Sequence, residues 1–138
     1  DIHARLSAAR GVSRTQLAEA ESVRQEFTAQ VDRLLHVYDA LVTPALPIVP
    51  PTLEEAKDPK NIQPLTLFLR PFNVSGHPAI ALPALSDTGL PIGLQIVGRK
   101  GEDAKLCAIA RWVVSTTPVF ASKSPTETAG PTPAGTAL

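Results

Sequence analysis

Methionine is absent from the 138 residues, and cysteine, tryptophan and tyrosine occur once each. The lone Cys107 excludes an internal disulfide, and with it the small disulfide-stapled scaffolds of secreted proteins. It suits a reducing, cytoplasmic compartment. Aromatic residues make up 4% of a chain that is 43% hydrophobic, so any core must be built mainly from aliphatic side chains. Neither sign of charge is in excess. Thirteen basic side chains balance thirteen acidic ones, which excludes the basic footprint of nucleic-acid binding or of anionic-membrane contact. No apolar run reaches the ~20 residues of a membrane span, and the opening DIHARLSAAR lacks the apolar segment of a signal peptide. His3, His36 and His77 have no metal-ligand spacing and no cysteine partner, so neither a metal nor a cofactor is expected. A translated reading frame opens on methionine and this chain opens on Asp1, so a truncated or processed piece is expected.

What is present reads as one domain of α/β type. Ser13 opens S-R-T-Q, with Gln16 at the capping-box position. Leu17, Ala20, Val23, Phe27, Val31, Leu34, Leu35 and Tyr38 then recur every three or four residues. That stripe predicts a helix to about His36, roughly 33 Å long. Asp39–Thr43 is short and apolar without alternation, as in a strand buried on both faces, and Pro44 ends it. Residues 52–61 form a polar surface loop. Pro64 predicts the first turn of a short helix over Leu65–Leu69, which Pro71 stops. Two further strands follow, at 79–83 and 92–98, with turn chemistry at Ser86-Asp87-Thr88-Gly89 between them. Gly93 inside the second implies close approach by another group, and Gln95 in an apolar strand demands a buried partner. Leu106, Ile109, Ala110 and Val113 carry a last amphipathic helix. Cys107, beside that stripe, reads as a packed thiol. Residues 116–138, rich in Pro, Thr, Ala and Gly, read as a disordered tail.

Three stretches in order carry a family resemblance: Tyr38-Asp39-Ala40-Leu41-Val42-Thr43-Pro44-Ala45-Leu46-Pro47, then Arg70-Pro71-Phe72-Asn73-Val74-Ser75-Gly76-His77-Pro78-Ala79-Ile80-Ala81-Leu82-Pro83, then Gly89-Leu90-Pro91-Ile92-Gly93-Leu94-Gln95-Ile96-Val97-Gly98. Together they resemble the C-terminal part of the amidase-signature hydrolases, over about residues 11–115. The resemblance implies a mixed-sheet fold with helices on both faces, of which about three strands and two main helices lie here. Residues 1–12 are then an N-terminal stub and 13–115 the amidase portion. Most of the shared residues have a structural reading: Asn73 caps a turn, Gly76 takes φ > 0, and Pro78 and Pro83 bracket a strand.

The family hydrolyses carboxamides through a Ser–cis-Ser–Lys arrangement, with oxyanion donors on a Gly/Ser-rich loop. That loop lies upstream of the matched region. No Gly/Ser-rich run stands in this chain, and Lys57, Lys60, Lys100, Lys105 and Lys123 sit in polar surroundings. The catalytic residues are therefore expected elsewhere, and the chain alone is expected to be inactive. Ser75-Gly76-His77 is not read as a catalytic pair, because adjacent placement does not aim an imidazole at a hydroxyl. The resemblance places the short helix before Asn73 beside the substrate. Gln63, Thr66 and Arg70, spaced three and four apart, are its candidate substrate-binding residues. In the family's glutamine-dependent amidotransferases an aspartate occupies the place of Thr66, which counts against that branch here. The implied partners are a small-molecule amide and the remainder of the amidase domain. The rival reading is a non-catalytic remnant that only packs against another chain.

Overall fold

The computed structural model describes residues 2–85 and 91–117. The expected turn at 86–89 and nearly all of the tail lie outside the described residues. Helix α1 spans Ile2–Ala9. Helix α2 runs from Arg14 to Val37, about 36 Å. Its start is the capping box that the sequence predicts: Gln16 N donates to Ser13 Oγ over 3.1 Å, and Ser13 N to Gln16 Oε1 over 2.9 Å. Strands β1 (Leu41–Pro44), β2 (Ala79–Leu85) and β3 (Pro91–Val97) form one antiparallel sheet in the order β1-β3-β2. Short helices α3 (Pro59–Ile62) and α4 (Arg70–Ser75) lie between β1 and β2, and α5 (Asp103–Thr116) follows β3.

The central strand decides the layering. Successive side chains of β3 point to opposite faces, and Ile96 and Val97 are both completely buried. Val97 packs with Val31 and Leu35 of α2 and Phe72 of α4. Ile96 packs with Leu82 of β2 and Leu106 and Ala110 of α5. Helices therefore cover both faces of the sheet, but on a diagonal. The α2–α4 layer leaves Ala79, Ala81 and Pro83 of β2 exposed, whereas α5 leaves Val42 and Pro44 of β1 exposed.

Four local expectations are corrected. β1 is not buried on both faces: it is an edge strand in which half-buried Leu41 and Thr43 alternate with exposed Val42 and Pro44. Pro71 does not stop a helix but stands in the first turn of α4, where a missing N–H leaves no bond unmade. Pro83 lies inside β2, not at its end, and Asn73 is a helical residue of α4. Gly76 does close α4, with φ 76°.

Gly93 and Gln95 behave as the sequence requires. Gln95 is buried, and its Nε2 donates to Thr43 Oγ1 at 3.0 Å and to Phe68 O at 3.1 Å. A Cβ on Gly93 would stand 2.7 Å from Ala45 Cβ. The Ala45 N–H bond to Gly93 O (2.8 Å) holds the two backbones together, so the clash has no inexpensive relief. Gly93→Ala is expected to destabilise the fold by about 1–3 kcal/mol. The check is a lowered urea midpoint in a longer polypeptide that contains this segment.

Candidate functional site

The segment from Asp58 to Pro78 places every candidate residue. Asp58 caps α3 by accepting from Lys60 N at 2.9 Å. The chain then tightens into a 3-10 turn over Gln63–Thr66, begun by Pro64, and re-enters a helix only at Arg70. Gln63, Thr66 and Arg70 thus occupy two short elements instead of one face of one helix. Gln63 is exposed. Thr66 is half-buried, and its Oγ1 is buried without a hydrogen-bond partner among the described residues. Leaving a buried hydroxyl unpaired costs about 1–3 kcal/mol, so this position calls for a polar group from beyond them.

Arg70 is exposed, and its guanidinium has no ion pair among the described residues. With Pro71 and Val74 it forms one wall of a groove of about 380 Å³, opposite Ala20, Val23, Arg24 and Phe27 of α2. Neither Gln63 nor Thr66 lines that groove. Arg24 is already engaged: its Nε donates to Glu21 Oε2 at 2.7 Å. The hydrogen bond from Arg24, with a second from Gln25, holds the Glu21 carboxyl down at about 2. Arg70 is therefore the cation of this groove that remains available to an incoming anion.

Behind α4 the structure forms a contact that adjacency along the chain does not reveal. The left-handed turn at Gly76 brings Ser75 Oγ to 2.8 Å from His77 Nδ1, and His77 Nε2 lies 3.1 Å from Asp32 Oδ1 on α2. The expectation that Ser75 and His77 would not meet is corrected. Asp32 also accepts from Lys100 Nζ at 3.1 Å. Burial pushes the Asp32 carboxyl upward, but the hydrogen bonds from Lys100 and His77 outweigh it and the net shift is downward. The connectivity matches that of a serine–histidine–aspartate triad, yet the site is closed. The His77 side chain is completely buried and Ser75 is 4% exposed. Phe72 O stands 3.2 Å from Ser75 Oγ as a further acceptor. No substrate carbonyl reaches Oγ, so the network fastens α4 and the β3–α5 turn to α2. Asp32 carries no local sign of this role, because its partners stand 45 and 68 residues away.

The described lysines and the cysteine are on the surface. Lys57, Lys60, Lys100 and Lys105 are exposed, and three of them pair with Glu54, Asp32 and Asp39. Cys107 is exposed, not packed as the stripe suggested: it falls one residue past Leu106, on the outer side of α5. No group of His, Cys, Asp and Glu among the described residues could hold a metal ion. No helix among them is long and apolar enough to cross a membrane.

The sequence profile of the amidase family matches residues 2–107. The chain belongs to the amidase family. The A subunit of glutamyl-tRNA(Gln) amidotransferase from Thermotoga maritima is 34% identical over 100 residues, covering 72% of this chain but 21% of that protein. The crystal structure of the same amidotransferase component from that organism superposes with a TM-score of 0.71 at 33% identity, over 83% of this chain and 25% of that one. 6-Aminohexanoate cyclic dimer hydrolase superposes with a TM-score of 0.66 at 29% identity, over 83% and 27%. The amidase segment thus spans about a quarter of the length of its relatives. Its three-stranded sheet with helices on both faces is the corresponding piece of the amidase fold.

Proposed function

We propose that this segment is the C-terminal part of an amidase that hydrolyses a carboxamide C–N bond, with its serine nucleophile and lysine base on the polypeptide preceding the segment. The family match over residues 2–107, on a chain a quarter as long as its relatives, carries this reading. In the proposed reaction the serine oxygen adds to the amide carbon, ammonia or an amine leaves with a proton, and water then cleaves the acyl ester. The segment contributes to substrate binding. Among the described residues Thr66 offers an unpaired hydroxyl, Gln63 stands at the start of the same turn, and Arg70 supplies a guanidinium without an ion pair for a carboxylate on the acyl portion. Thr66 in place of aspartate favours a simple amidase over a glutamine-dependent amidotransferase. The setting proposed is cytoplasmic.

The experiment compares the longer polypeptide with the isolated 138-residue chain, measuring ammonia or amine release from a panel of aliphatic and aromatic amides. The longer protein is expected to turn over at least one class, and the isolated chain none. Turnover by the isolated chain that disappears on Ser75→Ala or His77→Ala would move the chemistry to the buried network. Inactivity of the longer protein would favour a remnant that packs without catalysis.

A further inference from the structure

The two helices that wall the groove beside Arg70 are also the two that the buried Ser75–His77–Asp32 chain ties together. Along α2, Ala20, Val23 and Arg24 line the groove, Phe27 closes it, and Asp32 follows. On the other wall Arg70, Pro71 and Val74 lead to Ser75, the last residue of α4, with His77 two residues beyond. Phe27 and Phe72 meet between the helices with ring centroids 5.9 Å apart. By the helical rise, Val23 and Ala20 stand about 6–10 Å before Phe27, and Asp32 about 7.5 Å after it. A tilt of α2 about the aromatic contact therefore moves Asp32 and the groove wall by similar distances in opposite senses. The packing of Val31 and Leu35 on Phe72 and Val97 is non-directional and tolerates small tilts. A hydrogen bond fixes both distance and angle.

The donors and acceptors of the chain have one order. Lys100 Nζ donates to Asp32 Oδ2 over 3.1 Å, and an ionised carboxylate only accepts. The His77 Nε2 that lies 3.1 Å from Asp32 Oδ1 therefore carries a proton. In the neutral ring Nδ1 is then the acceptor, and the Ser75 hydroxyl donates to it over 2.8 Å. With both ring nitrogens paired and the side chain completely buried, the imidazole has a single orientation.

We infer that His77 is a positioning residue for substrate: its Nε2–H bond to Asp32 holds α2 and α4 at the spacing in which Arg70 meets a carboxylate in their groove. The inference rests on the proposal that Arg70 binds the acyl portion of an acidic amide. His77 touches no substrate. It acts through the tilt of α2, which sets how far the Ala20–Val23 wall stands from the guanidinium.

The experiment is steady-state kinetics of the longer polypeptide on a matched pair of amides, one bearing a carboxylate and one neutral. His77→Phe leaves neither neighbour without a partner: Asp32 keeps Lys100, and the Ser75 hydroxyl turns to Phe72 O at 3.2 Å. It is expected to lower the ratio of kcat/KM for the acidic over the neutral amide about tenfold, through KM. The ratio cancels the fraction of enzyme that is folded, so lost stability alone does not move it. His77→Gln places an amide N–H near the position of Nε2 and is expected to restore most of the ratio. In an Arg70→Leu background His77→Phe should change the ratio no further, because the group it positions is gone. An unmoved ratio in His77→Phe, no recovery with glutamine, or the same fall with and without Arg70 overturns the inference. So does a nitrogen–proton correlation spectrum of histidine-labelled protein that places the His77 proton on Nδ1 and leaves Nε2 bare. Arg70→Leu alone separates the two claims. If it leaves the ratio unmoved, the substrate reading falls and takes this inference with it; if it lowers the ratio while His77→Phe does not, this inference falls alone.

Discussion

Replacing Arg70 by leucine in the longer amidase is expected to lower kcat/KM for a carboxylate-bearing amide by about ten- to a hundredfold, corresponding to the roughly 1.5–3 kcal/mol of one charge-assisted hydrogen bond. A matched neutral amide should change little. The reason lies in the electrostatics of the α2–α4 groove. Its walls are mostly apolar, Arg24 is neutralised by Glu21, and Arg70 has no anion among the described residues. An exposed guanidinium beside apolar walls pairs best with a planar carboxylate that takes two parallel N–H bonds. Steady-state kinetics on the acidic and neutral pair decide the matter. Equal losses on both, or none on either, would make Arg70 a surface residue or the partner of a protein carboxylate. Thr66→Ala is the companion variant: it should weaken binding modestly and leave the preference for charge unchanged.

The second large effect concerns the isolated chain, which is expected to be poorly soluble, oligomeric or molten. The exposed apolar residues are numerous on the helices. Ile2, Leu6 and Val12 stand on and after α1, and Leu17 and Val23 on the first half of α2, each more than half exposed. Val74 lines the groove beside α2, and Val42 lies uncovered on the opposite face of the sheet. The first half of α2 contributes no fully buried residue; Val31 and Leu35, in its second half, supply its buried contacts. Exposed apolar side chains in this number promote association unless another layer covers them. The checks are sedimentation, dye binding to exposed apolar surface, and amide dispersion. A monomer with a sharp cooperative unfolding transition would show that the segment is a self-sufficient domain.

Much of this architecture was legible from residue order because its causes are local. The capping box at Ser13 and Gln16 starts α2, the three- and four-residue stripe carries it to Val37, and Gly76 closes α4 in a backbone region that glycine enters without steric cost. Gly93 and Gln95 announced a close approach and a buried partner. A missing Cβ leaves room that a neighbour fills, and a polar side chain in an apolar strand must find a hydrogen bond. Strand burial and helix breaks were less legible. An apolar run such as Asp39–Thr43 reads the same at the edge of a sheet as at its centre, and a proline such as Pro71 is compatible with the end of one helix or the start of the next.

By itself, then, the sequence determined the family, the order of the elements and the backbone demands at Gly76, Gly93 and Gln95, since each depends on near neighbours or on a contiguous motif. Only the tertiary structure decided that Asp32 meets His77 and Lys100, that Arg70 lines a groove against α2, and that among the described residues the Thr66 hydroxyl is unpaired and β1 is an edge. Those facts depend on which groups, up to 68 residues apart, the folded chain brings within hydrogen-bonding distance, and on which it leaves without a neighbour.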